Sequence, residues 1–418
     1  MLTYLIQVTE GLLLTAILTG MLLGFAKVHG DRLGFRISQI GCGVGWIAAI
    51  LLAVLKNTTK LVDSGFWNLV FVAVYLVGLV VFLVCLIPPL AQKTKGKSQT
   101  IQAVAIALML VGVTGYMAPE PLGYPGAIVI STETYISSDF FLRMLGWLLG
   151  LVIAYLISFS LCKVITALEG PLAKWVPVAG SVFTGFVLFA LASRALITRH
   201  IIGQNRALLQ LAVFASNNNL LFCAVLAALA AICLIALIAR SLRVNEPYSN
   251  PAQHRKIRAK WRYRKRWAGV SVLCLILAFV TLTVVKDYDS REVELSPSED
   301  FELRDDGCYV SLEQVEDGHL HRFTYTTPDN VGIRFIVIKK PGGTAYGIGL
   351  DACDICGETG YYERNDQVVC KLCDVVMNVS TIGFKGGCNP IVIDYSIKDG
   401  YIIVPFDTLL EHEKIFTR

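Results

Sequence analysis

Charged residues are scarce in this chain: they make up 17% of its 418 residues, whereas 55% are hydrophobic. An average soluble domain has about 25% charged residues, so this composition predicts a membrane protein. The chain also lacks a haem-attachment signature C-x2-C-H, a dinucleotide-binding glycine motif and a nucleophile triad. A redox or metal-binding protein is therefore favoured over a classical enzyme. The first apolar run has no small-residue cleavage site, so no cleavable signal peptide is expected.

Eight apolar runs approach or exceed the roughly 20 residues needed to cross a bilayer. They define a predicted membrane domain over residues 1–285. The predicted spans are Tyr4–Ala26, Ile37–Leu55, Phe66–Leu90, Ile101–Met117, Phe140–Ile165, Val178–Ile197, Leu220–Ala239 and Ala268–Val285.

The cations of the connecting loops predict the orientation, because loops rich in Lys and Arg stay cytoplasmic. One alternating set of loops holds 18 Lys and Arg and the other holds four. The first set is therefore predicted to be cytoplasmic, which places both termini and the C-terminal domain outside the cell membrane. The basic run Arg255–Trp267 belongs to the cytoplasmic set. It is interpreted as a topology anchor touching lipid headgroups, and no nucleic-acid partner is expected.

The chain after the last span differs in composition from the membrane part. Residues 1–285 hold 24 Lys and Arg against eight Asp and Glu, whereas residues 286–418 hold 13 against 24. Residues 286–300 are charged and have no apolar period, which is typical of a linker. Beyond them, short β-branched and aromatic runs separated by turn signals predict antiparallel strands, including a closing hairpin of Ile391–Tyr395 with Tyr401–Val404. The predicted fold is thus a multi-pass α-helical membrane protein with a mainly β (α+β) cysteine-metal domain at 301–418.

Five cysteines of this second domain have ligand-like spacing. Two C-x2-C pairs lie thirteen residues apart, and a fifth cysteine follows two glycines: Cys353, Cys356, Cys370, Cys373 and Cys388. Paired C-x2-C motifs are specific for zinc or iron–sulfur ligation, although disulfides are the alternative. Cys388 could replace one of the four, bind a second metal or remain free.

Four further residues are weaker candidates for metal ligation. His319 and His321 alternate in a predicted strand and would share one face, and Met377 is a soft donor nearby. The two histidines are better explained as exposed polar residues than as ligands. Glu10 lies within the first apolar run, where an ionisable group is a functional candidate because its burial is costly. The alternative is that Glu10 lies at interface level near the outer end of its helix.

The run from Asp317-Gly318-His319-Leu320-His321 through the four paired cysteines to Cys388-Asn389-Pro390 resembles the membrane iron–sulfur containing protein FtrD-like family. The resemblance implies an iron or iron–sulfur domain in a bacterial iron-uptake system, with the five cysteines at the matching positions. It also implies iron permease-type and ABC-type membrane proteins as partners, beside the lipid bilayer itself.

Several functions remain open from the sequence. The first is electron transfer or metal handling during iron uptake by a cysteine-ligated iron centre, with zinc or copper as other possible metals. The second is a metal permease with Glu10 in its path. The third is an extracytoplasmic thiol-disulfide or zinc-ribbon module. Preassembled clusters are not ordinarily supplied outside the cell, which favours a metal ion acquired after translocation.

Overall fold

The protein divides into two compact units, Met1–Ser290 and Arg291–Arg418. The structure is a computed structural model. It describes residues 1–59, 62–87, 97–128, 138–203, 206–244, 246–290, 294–364, 367–373, 375–386 and 388–417. Parts of the expectations above lie outside these ranges: residues 88–90 of a predicted span, the loop cations Lys60, Lys93 and Lys95, and Gly387 of the glycine pair.

The first unit is built from long apolar helices. Within the described residues, eight helices are long and apolar enough to cross a membrane, and they confirm the eight predicted spans. The helices of this unit are α1 (Leu2–His29), α2 (Arg32–Thr58), α3 (Ser64–Cys85), α4 (Lys97–Met117), α5 (Pro119–Ile128), α6 (Ser138–Ala167), α7 (Leu172–Thr198), α8 (Arg206–Asn217), α9 (Asn219–Leu242), α10 (Pro251–Val280) and α11 (Lys286–Asp289). The protein is therefore a multi-pass membrane protein.

Helix α1 lies at the centre of the first unit and is buried along most of its length. It packs closely on α6 because glycine leaves room for the neighbouring backbone. A Cβ atom at Gly20 would lie 2.6 Å from the carbonyl oxygen of Ser158, and one at Gly24 would lie 2.6 Å from Cβ of Ile165. Any larger residue at either position would push the two helices apart.

The last span is longer than predicted. Helix α10 begins at Pro251, where the Asn250 side chain accepts a hydrogen bond from the amide of Gln253 at 2.8 Å. A π-helical turn at Thr281–Val285 then joins it to α11, so that helix continues to Asp289. The linker was expected to begin at Lys286, and the charged residues after Val285 instead extend the helix by one turn.

The described residues of the second unit form three small antiparallel sheets. The first has the order β1-β2-β9-β8, the second β3-β4-β5 and the third β6-β7. The strands are β1 (Glu302–Arg304), β2 (Gly307–Ser311), β3 (His321–Thr326), β4 (Gly332–Lys339), β5 (Tyr346–Leu350), β6 (Tyr361–Arg364), β7 (Gln367–Cys370), β8 (Ser396–Lys398) and β9 (Tyr401–Pro405), followed by the short helix α12 (Phe406–Leu410). The predicted mainly β architecture is confirmed.

The closing hairpin was predicted with the wrong first strand. Strand β9 pairs with Ser396–Lys398 across the turn at Asp399-Gly400, where both residues have positive φ. Ile391 lies outside the strands. Its amide donates to the carbonyl of Ala352 at 3.0 Å, and its carbonyl accepts from the amide of Leu350 at 2.8 Å. These bonds tie the segment to the chain that enters the cysteine site.

Strand β4 separates two apolar cores, because successive side chains of a strand point to opposite faces. Ile333, Phe335 and Val337 lie in a core shared with the first sheet. Ile336 and Ile338 lie in a second core, which also contains Cys353 and Cys370. The cysteine site is therefore anchored on one face of the second sheet.

Candidate metal centre

Each C-x2-C pair is held by a local turn. In the first pair, the amide of Cys356 donates to the sulfur of Cys353 at 3.1 Å, and Cys353 and Gly357 exchange two backbone hydrogen bonds of 3.1 and 2.9 Å. Gly357 has a φ of 68°, which glycine adopts without strain. In the second pair, Cys370 ends strand β7, and its amide donates to the carbonyl of Val375 at 3.0 Å.

These turns bring all five predicted cysteines together. The sulfur atoms of Cys353, Cys356 and Cys370 lie within 4.8 Å of one another, as do those of Cys356, Cys373 and Cys388. Cys356 belongs to both triads, so the triads form one cluster. Cys353 and Cys370 are buried, whereas Cys373 is exposed. The cluster therefore has a buried end and an end open to solvent.

Burial and the neighbouring thiols shift the pKa values of these cysteines in different directions. For Cys373, burial would raise the pKa, but hydrogen bonds with the backbone at Val375 and with the neighbouring thiols outweigh it and lower the pKa. Burial, followed by hydrogen bonds with the neighbouring thiols of Cys373, Cys353 and Cys370, raises the pKa of Cys356 well above its ordinary value. Burial, and then the hydrogen bond with Cys373, raises the pKa of Cys388 to about 11. Metal ligation needs thiolates, and a bound cation supplies the positive charge that lets several thiols lose their protons together. The donor set therefore fits a thiophilic metal ion or an iron–sulfur cluster.

A buried ion cluster supports the first cysteine pair. Asp351 has no exposed surface; its Oδ2 atom accepts hydrogen bonds from Nε of Arg322 at 2.8 Å and Nε of Arg334 at 3.2 Å. Its Oδ1 atom accepts a bond from the amide of Tyr361 at 2.8 Å. Asp351 is two residues before Cys353, so this cluster fixes the chain where it enters the site. Sequence reasoning missed the pairing, whose one signal is a charged residue, Arg322, beside Phe323 in a predicted strand.

Tyr361 connects the fifth cysteine to the rest of the site. This buried residue opens strand β6 and pairs with Cys370 across the hairpin. Its hydroxyl donates to the carbonyl oxygen of Cys388 at 2.6 Å. Burial, and then the charge of Cys353, raises the pKa of Tyr361 and keeps the hydroxyl protonated as a donor. The sequence carries no local signal for this contact between residues 27 positions apart.

The two histidines do not share a strand face, contrary to the prediction. Strand β3 begins at His321, and His319 precedes it. Nδ1 of His321 lies 2.9 Å from Glu299 and its Nε2 lies 2.8 Å from Asp317. Carboxylates thus occupy both ring nitrogens.

Nδ1 of His319 lies 2.9 Å from Oε1 of Glu363. Across the described ranges, the clusters of His, Cys, Asp and Glu with metal-like spacing contain cysteines alone. The structure therefore does not bring either histidine to the cysteine site.

Met377 and Glu10 lie in different surroundings. Met377 is buried in the apolar core that contains Cys353 and Cys370. Glu10 belongs to α1 of the other unit. Its Oε2 atom lies 2.7 Å from Nζ of Lys286, and its carbonyl accepts a hydrogen bond from Nδ2 of Asn219 at 3.3 Å. Glu10 is thus paired with a cation at the end of the last span.

The cysteine site lies within a region of the chain that matches a known family model. Residues 315–416 match the family model described as "Membrane iron-sulfur containing protein FtrD-like". The matched FtrD-like region contains all five cysteines and confirms the resemblance seen in the sequence. It leaves the membrane unit outside the match. No match was found among curated proteins or among solved structures.

Proposed function

We propose that the FtrD-like region holds iron, as a single ion or as an iron–sulfur cluster, and transfers electrons or handles metal during iron uptake. The observation that carries this proposal is the convergence of five thiols at one site with an exposed end. The family match supports iron as the metal. Iron held by thiolates supplies one-electron redox chemistry, which zinc does not.

The buried end and the open end of the site have different proposed roles. Cys353 and Cys370 hold the metal in the apolar core, where water is excluded. Cys373 and Cys388, whose sulfur atoms lie 3.5 Å apart, form the end that a donor or acceptor can approach. Four thiols complete either a mononuclear site or a small cluster. The fifth therefore provides an exchangeable ligand at the open end.

We propose further that the second unit and both termini lie outside the bacterial cell membrane. The loop cations support this orientation. The ion pair between Glu10 and Lys286 supports a position of the start of the first span and the end of the last span at the same side of the membrane. The two domains are then a membrane anchor over 1–285 and a metal-binding domain over 301–418. The proposed partners are iron permease-type and ABC-type membrane proteins.

The pairing of Glu10 gives the permease alternative no specific support. Oε2 of Glu10 lies 2.7 Å from Nζ of Lys286, and the positive charge of this lysine would repel a metal cation that approaches the same carboxylate. We therefore assign Glu10 a role in holding α1 against the end of the last span.

Metal analysis of the full-length protein tests the main proposal. Protein purified from its native membrane is expected to contain iron and to absorb visible light through sulfur-to-iron charge transfer. Replacing Cys370 by Ala should remove both signals, whereas Cys308→Ala, which changes a buried cysteine of the other core, should remove neither. Colourless protein that contains zinc alone would contradict the proposed redox function.

A further inference from the structure

Three strongly exposed apolar side chains lie close in sequence to the cysteines of the open end. Ile355, Leu372 and Phe384 are 70%, 65% and 62% exposed. Among the described residues of the second unit, no large hydrophobic side chain is more exposed than these three. We call this trio the apolar rim. Such exposure is unfavourable in water, at about 25 cal/mol per Å² of apolar surface, and it marks a surface for interaction.

The apolar rim and the open thiols form one surface. Ile355 directly precedes Cys356, and Leu372 directly precedes Cys373. Phe384 reaches the third thiol of this triad through its backbone, because Nδ2 of Asn389, the residue after Cys388, donates to the Phe384 carbonyl at 3.3 Å. Since the three sulfur atoms lie within 4.8 Å of one another, the rim residues belong to the chain segments that meet at the exposed end of the site.

Cations accompany the apolar rim, although this part of the chain is acidic overall. Lys340 places its Nζ atom 5.0 Å from the centre of the Phe384 ring. Lys385 follows Phe384, and Lys371 precedes Leu372. Two acidic residues are close to the rim in sequence: Asp354 precedes Ile355, and Asp374 follows Cys373. Apolar tips with surrounding lysines are complementary to the interface of a bilayer that contains anionic lipid.

The bilayer is also the surface to which the second unit is covalently attached. Arg291, its first residue, directly follows Ser290, the last residue of the membrane unit. A tethered surface is present at high effective concentration, so weak contacts suffice for docking. A soluble protein partner would need its own recognition surface, and its binding would cost translational and rotational freedom.

We propose that the apolar rim docks into the headgroup region of an anionic lipid bilayer and presents the open thiols to the membrane surface. The docking stands independently of which metal is bound. Its consequence, that electrons or metal enter at the membrane surface, rests on the proposed function.

Photocrosslinking of the full-length protein in liposomes tests this proposal. A p-benzoyl-phenylalanine residue replaces Phe384 in one variant. In the control variant it replaces Leu303, which is 61% exposed in strand β1 of the same unit. The liposomes contain phosphatidylcholine with or without phosphatidylglycerol. Lipid adducts are expected at position 384 and not at position 303, with more adducts when the anionic lipid is present.

Replacing Lys340 by Gln should reduce the lipid adducts at position 384 about fivefold, because each cation near an anionic surface favours binding by roughly that factor. Equal lipid adducts at the two positions would overturn the proposal. An absence of lipid adducts at position 384 would also overturn it. The same holds if position 384 forms adducts with a protein in native membranes and none with lipid. The metal content of each variant shows separately whether the cysteine site is intact.

Discussion

The hydroxyl of Tyr361 offers a sharp test of how the fifth cysteine is held. Tyr361→Phe keeps the buried ring and removes the donor that bonds to the Cys388 carbonyl at 2.6 Å. A partly buried carbonyl that loses its donor costs about 1–2 kcal/mol. Because about 1.4 kcal/mol is a factor of ten, the loop that carries Cys388 should open roughly 5–30 times more often.

Alkylation of the thiols measures this opening directly. Chelator-treated full-length protein is exposed to iodoacetamide, and the modification of each cysteine is followed by peptide mass spectrometry. Cys388 should react roughly 5–30 times faster in Tyr361→Phe, whereas Cys353 and Cys370 should keep their rates. In the control Tyr309→Phe, which removes a surface bond to Asp306, all rates should stay unchanged. An unchanged rate at Cys388, or an equal increase at Cys353, would refute the assigned role of Tyr361.

Three other changes test the surroundings of the site and the membrane unit. Asp351→Asn leaves the buried Arg322 without its counter-charge. It should lower the free energy of unfolding of the second unit, measured by hydrogen exchange in the full chain, by about 3–5 kcal/mol. A decrease of less than about 1 kcal/mol would contradict the pairing. For His321, burial alone would lower the pKa, but hydrogen bonds to two carboxylates outweigh it and raise the pKa. The stabilisation is therefore complete below the unfolded pKa of about 6.5 and is lost as pH rises through the higher folded pKa, so the pH dependence of unfolding should weaken in His321→Gln. Glu10→Gln breaks a partly exposed ion pair with Lys286 and should cost less than about 1 kcal/mol while leaving metal uptake by cells intact; loss of uptake with an unchanged metal content of the second unit would support the permease alternative.

The membrane spans could be predicted from the sequence because each is a long apolar run, and hydropathy alone identifies such a run. The end of the last span could not. Lys286 and Asp287 resemble the start of a polar linker, yet helix continues through them to Asp289, and Lys286 finds an acidic partner on a different helix. That partner is 276 residues away in sequence, so no local pattern predicts the pairing.

The cysteine cluster could be predicted for a similar reason: two C-x2-C pairs are local motifs, and their turns depend on nearby residues such as Gly357. The supporting contacts are long-range and escaped prediction. His321 was expected among ligand candidates, but Glu299 reaches it from 22 residues upstream. Strand alternation places a side chain on a face of the sheet and says nothing about which distant group meets it there.

The identity of the metal that the cysteines bind decides whether the redox function is correct. The most direct measurement is the metal analysis and visible absorption spectrum of full-length protein purified from its native membrane, repeated for Cys370→Ala and for the control Cys308→Ala. Iron and a sulfur-to-iron charge-transfer band are expected in the wild type and in the control, and both should be lost in Cys370→Ala. Iron retained in Cys370→Ala, or a colourless wild-type protein that contains zinc alone, would contradict the proposed iron site.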